Sequence, residues 1–109
     1  MGSLHTFLTE QAALCKARAA ALTADDRRDE AVFEKIRCNV FEIFIAVYRT
    51  AGKQPDPMAF FRHQLDAIPA NWETAYEKAK VHADGKRAYT EFVKLEAVRT
   101  IRKMLEENT

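Results

Sequence analysis

Asp29–Arg49 reads DEAVFEKIRCNVFEIFIAVYR, and this stretch decides the fold class. At about 100° per residue, Val32, Ile43, Ile36, Val47, Val40, Phe33 and Phe44 fall on one arc of roughly 120°. That arc alone seats a helix on a core. Phe41, Ile45 and Tyr48 form a second row, at i, i+4 and i+7, offset from the first. A helix apolar over so much of its circumference runs through the centre of its fold or lays one side against a partner. The sequence leaves both readings open.

The punctuation around this helix extends the helical pattern to the whole chain. With only 3 Gly and 3 Pro among 109 residues, long helices and short connections fit better than a sheet. A first helix is expected from Ser3 to about Leu22, with Leu4, Leu8, Gln11, Cys15 and Leu22 along one side and an Ala-rich second half. Thr23 reads as the N-cap of the second helix, and Asp25, Asp26, Asp29 and Glu30 place negative charge at its positive end. Gly52 reads as its C′ residue.

Pro55-Asp56-Pro57 then marks a boundary, with Asp56 as N-cap and Pro57 as first helical residue. Met58, Phe61, Leu65 and Ile68 follow at helical spacing, and Pro69 is expected to stop this third helix. Asn71 can cap a fourth, whose stripe is Trp72, Tyr76, Ala79 and Ala83; Asp84-Gly85 makes a tight turn. The last helix, Lys86 to about Glu107, carries Tyr89, Val93, Ala97, Ile101, Met104 and Leu105 on one arc, with Phe92 and Leu95 off it. No segment alternates with a period of two. The expected fold is all-α: residues 1–109 form one domain, a bundle of about five helices, three long and two short, the short pair making an angled hairpin.

Composition removes several classes of function. A net charge of +1 gives no general footprint for nucleic acid or membrane. No apolar run approaches the roughly 18 residues that span a bilayer, and the N-terminus has no signal-peptide pattern, so the expected location is the cytoplasm. Cys15 and Cys38 are expected as free thiols on or near a core face.

No catalytic, metal or cofactor pattern emerges. His5, His63 and His82 lie on three expected helices, none in a His-x-x-x-His or Glu-x-x-His spacing. Cys38 with His63 or His82 lacks a third orienting group, and the acid pairs Glu73/Glu77 and Glu30/Glu34, one helical turn apart, are what solvated helix faces commonly carry. The isolated glycines make no phosphate loop. Basic clusters occur at Arg99, Arg102 and Lys103, at Arg27-Arg28 and at Lys86-Arg87, but Glu96, Glu106 and Glu107 neutralise the first. Trp72, Tyr76 and Ala79 sit at positions suggestive of a tetratricopeptide unit, yet no second copy occurs about 34 residues away.

DRRDEAVFEKIRCNVFEIF (Asp26–Phe44) followed by FFRHQLDAIPANWETAYEKAKVHAD (Phe60–Asp84) resembles a family of small, uncharacterised, all-helical bacterial proteins, most clearly at Ile68-Pro69-Ala70-Asn71-Trp72-Glu73. The resemblance implies a compact helical fold and a bacterial cytoplasmic origin, and brings no activity, cofactor or catalytic residue with it.

The expected function is therefore that of a non-enzymatic helical domain acting by self-association or by binding another protein. Phe41, Ile45 and Tyr48 are its candidate interface, with Phe60 and Phe92 as secondary candidates. A two-fold dimer packing the second helix on its own copy is the simplest arrangement. One alternative is a small-molecule binder or enzyme with a pocket near Trp72, Tyr76 and His63. A second is a nucleic-acid-associated regulatory factor.

Overall fold

Four helices account for almost all of residues 2–107, which the structure, a computed structural model, describes. They are α1 (Gly2–Ala24), α2 (Arg28–Ala51), α3 (Pro57–Val81) and α4 (Gly85–Glu107). The described residues contain no strand. The all-α expectation holds, while the count of about five helices gives way to four.

The missing break is at Pro69. The third and fourth expected helices are one continuous α3, so Pro69 does not stop a helix and Asn71 does not cap one. A proline inside a helix leaves the carbonyl four residues earlier without its N–H partner. Here that carbonyl is Leu65 O, and Arg102 reaches over from α4 to donate Nη2–H to it at 3.1 Å. Asp66, next in the chain, lies 3.5 Å from the same guanidinium. Pro69 is itself buried. A side chain 33 residues further along (102 minus 69) thus supplies the hydrogen bond that the proline removes.

The helix ends also differ in detail from expectation. Asp56 does cap α3, its Oδ1 accepting from the Ala59 N–H at 3.1 Å, and Pro57 is the first helical residue. Thr23 caps nothing. It lies inside α1, and its hydroxyl donates back to Ala19 O at 2.8 Å. The chain reverses one step later at Asp26, which takes a left-handed φ of 59°. Arg27 N–H then bonds Leu22 O and Asp26 N–H bonds Thr23 O, the paired bonds of a Schellman motif.

The same motif ends α3. Ala83 holds φ at 54°, with Asp84 N–H on Ala79 O and Ala83 N–H on Lys80 O. The left-handed position is therefore Ala83, while Gly85 begins α4 behind its N-cap Asp84. Gly52, at φ −60°, makes no use of its conformational freedom.

Two antiparallel hairpins result, α1–α2 and α3–α4, and α2 joins them. It runs along α1 on one side and meets both α3 and α4 on the other. α1 touches α4 only lightly and does not reach α3. The molecule measures 43 × 35 × 23 Å, with a radius of gyration of 14.9 Å against about 13 Å for a compact chain of this length. Its core combines Leu4, Leu8 and Cys15 of α1 with Phe41, Phe44 and Ile45 of α2, and Phe61, Leu65, Val98 and Ile101 from the other hairpin. Phe44 and Phe61 meet edge to face, with centroids 5.9 Å apart, and couple the two hairpins.

Candidate functional site

Because α2 has neighbours on two sides, its buried arc is wider than its most hydrophobic arc and is not centred on it. Phe41 is 1% exposed and Ile45 9%, both within the core. Tyr48 is half-buried and stacks on His5 of α1, centroids 5.2 Å apart. Of the second apolar row, Tyr48 thus faces α1, while Phe41 and Ile45 belong to the core and keep almost no free surface.

Part of the first arc is what remains outside. Val32 is 49% exposed and Ile43 38%, with Ile36 and Val47 half-buried beside them. The apolar surplus of α2 is real, but its exposed portion lies on the edge away from the Phe41 row.

A second apolar surface lies where the start of α2, the end of α3 and the start of α4 come together. Phe33 meets Tyr89 edge-on, with centroids 4.6 Å apart; Tyr89 stacks on Phe92 at 6.0 Å, and Phe92 leans on Tyr76 at 6.5 Å. Lys80 covers the Tyr76 ring at 4.7 Å. Tyr89 and Phe92 remain 50% and 41% exposed, although ring contacts fix their positions. Phe92, a secondary sequence candidate, belongs to this cluster. Phe60, the other, is half-buried and packs against the core.

The remaining candidates do not converge. Trp72 and Tyr76 share the inner face of α3, Trp72 against the core and under Lys94, whose Nζ is 5.5 Å from the ring centroid. His63 is exposed and, by helical spacing, lies on the opposite face of the same helix. In the basic cluster of α4, Arg102 is committed to Leu65 and Asp66, and Arg99 pairs with Glu96. Among the described residues, no group of three or more His, Cys, Asp or Glu side chains is placed to hold a metal ion. Among the described residues, no helix is long and apolar enough to cross a membrane.

The two cysteines are free and buried. Burial, aided by the nearby Glu34 charge, pushes the Cys15 thiol up to about 11. Burial followed by the charge of Glu42 raises that of Cys38, whose Sγ donates to Ala12 O at 3.5 Å. Both thiols are held protonated, which opposes a nucleophilic role.

Sequence reasoning missed one residue outright. Glu91 is 5% exposed, with Oε1 on Lys94 at 3.2 Å and Oε2 without a partner. The available signal was its place seven and fourteen residues before Val98 and Leu105, on one buried line of α4. A groove of about 820 Å3 was also missed; it runs between the Ala-rich half of α1 and the outer edge of α2, with Lys16, Ala20, Lys35, Asn39 and Glu42 in its walls.

Comparison with models of known protein families, with curated proteins and with solved structures finds no match to this chain.

Proposed function

We propose that this chain is a non-enzymatic helical domain that acts by association with other polypeptides through its exposed apolar surface. The observation that carries the reading is the aromatic cluster at the joint of α2, α3 and α4. Tyr89 and Phe92 are half-exposed yet fixed by ring contacts to Phe33 and Tyr76. An ordered aromatic patch facing water loses little side-chain freedom on docking and offers a large area to bury. Val32 and Ile43 on α2 add a separate, aliphatic exposed surface. A bacterial cytoplasmic setting belongs to the same proposal and rests on the resemblance of the Ile68–Glu73 region.

A photo-reactive side chain placed at Tyr89 tests the proposal in cells. The expected result is a discrete cross-linked species, containing either a second copy or another protein, that weakens when Phe92→Ser is added. The same probe at exposed Thr74 should give none. Absence of a discrete species at position 89, or equal labelling at position 74, would contradict the reading.

A further inference from the structure

The outer edge of α2 has a regularity that the monomer does not use. Val32, Asn39 and Ala46 recur every seven residues, with Ile36 and Ile43 between them, which is the spacing of a coiled-coil seam. All five are exposed or half-exposed. Asn39 is the one polar side chain in this row.

Beside the seam, Lys35 and Glu42 stand two turns apart in the groove between α1 and α2. Among the described residues neither enters a salt bridge; Glu42 Oε1 lies 3.8 Å from Cys38 Sγ and shares that thiol's single proton with Ala12 O. On the far wall, Ala20 and Ala24 leave room for close approach of another helix.

From these features we propose that α2 pairs antiparallel with α2 of a second copy, about a two-fold axis beside Asn39. The occupant of the groove is thus the same edge of the partner, and α1–α2 of both copies form a four-helix bundle. With the axis level with Asn39, Lys35 of each copy lies one residue's rise, about 1.5 Å, from the level of Glu42 of the other, within reach of the long side chains. Pairing the helices in parallel would not bring these two groups level. Ile36 of each copy lies the same small distance, about 1.5 Å, from the level of Ile43 of the other, and the two Asn39 side chains face each other across the axis.

The available area suits a stable dimer. Two helices of about 23 residues, about 10 Å apart, present a face of roughly 35 × 20 Å. That is about 700 Å2 a side, near the roughly 800 Å2 per partner of a standard interface. It also accounts for α1, which has α2 as its only extensive neighbour in the monomer.

This inference rests on the reading of the chain as an association domain but uses a different face from Tyr89 and Phe92. Sedimentation equilibrium over about 1–200 µM tests it apart from the cross-linking at Tyr89. The wild type is expected at twice the monomer mass. Lys35→Glu, which sets like charges together at both symmetry-related contacts, should weaken the dimer at least tenfold with unchanged helix content. The exchange Lys35→Glu with Glu42→Lys should restore it. Asn39→Cys should form a disulfide-linked dimer under mild oxidation, and Thr74→Cys should not. A wild type that stays monomeric throughout this range overturns the proposal and leaves the groove to another occupant. So does a dimer whose mass is unaffected by Lys35→Glu, or one that the charge exchange does not restore.

Discussion

α2 and α3 are nearly equal in length, 24 and 25 residues, yet they are held in different ways. α2 is clasped from two directions, with Tyr48 stacked on His5 of α1, Phe44 meeting Phe61 of α3, and Phe41 and Ile45 buried in the core. α3 carries a proline in its middle and depends on one polar group from α4 to stay continuous. Burial positions the first helix, and repair of a backbone defect preserves the second. The difference also explains why α2 has spare apolar surface. A helix gripped on two sides hides an arc set by its neighbours, and apolar residues beyond that arc remain outside.

Substitutions probe this contrast, and the largest effect belongs to α2. Phe41→Ala should destabilise the chain by about 3–5 kcal/mol in urea unfolding, because it empties a fully enclosed site. Val32→Ala, on the outer edge of the same helix, should change monomer stability by under about 0.5 kcal/mol. Comparable losses at the two positions would mean that α2 is not gripped as described.

For α3, Arg102→Ala should cost about 1–2 kcal/mol by leaving Leu65 O without its donor. The decisive comparison is the double-mutant cycle. In a Pro69→Ala background the helix supplies its own N–H to Leu65 O, so Arg102→Ala should cost less there. Additive losses would show that Arg102 acts elsewhere.

A smaller gain is expected at the end of α3. Ala83 holds a left-handed φ of 54°, so Ala83→Gly should raise stability by about 1 kcal/mol. Thermal melting would reveal it, and a loss would show that the turn has another conformation.

The α1 face of α2 predicts a pH effect. The Cys15 thiol, pushed up to about 11, lies above the roughly 8.5 of an unfolded thiol. Its stabilising contribution is intact below about 8.5 and falls as pH rises through that window, because only the unfolded chain releases the proton there. Cys15→Ala should therefore show a shallower alkaline decline in unfolding free energy than the wild type. Parallel curves would remove the thiol from the account.

The fold class was legible because apolar spacing and scarce glycine and proline report helices directly. Two features were not legible, for definite reasons. A period of 3.6 arranges Val32, Phe41 and Ile43 around a helix, but the number and direction of neighbouring helices choose the inner row. Pro69 reads as a stop because its cost is local, whereas the compensating Arg102 lies on the next helix. At the candidate site, Phe92 was visible as an aromatic residue off the buried arc. Its cluster with Phe33, Tyr76 and Tyr89 depends on how three helices meet, and spacing along one helix carries no trace of that.

α2 turns Phe41 and Ile45 inward, and the proposed dimer forms on its Val32–Ile43 edge. Sedimentation equilibrium of Ile43→Glu beside the wild type, each checked for helix content, tests it most directly. A dimeric wild type and a folded, monomeric Ile43→Glu are expected. A monomeric wild type, or an Ile43→Glu chain that remains dimeric or loses its helices, would contradict it.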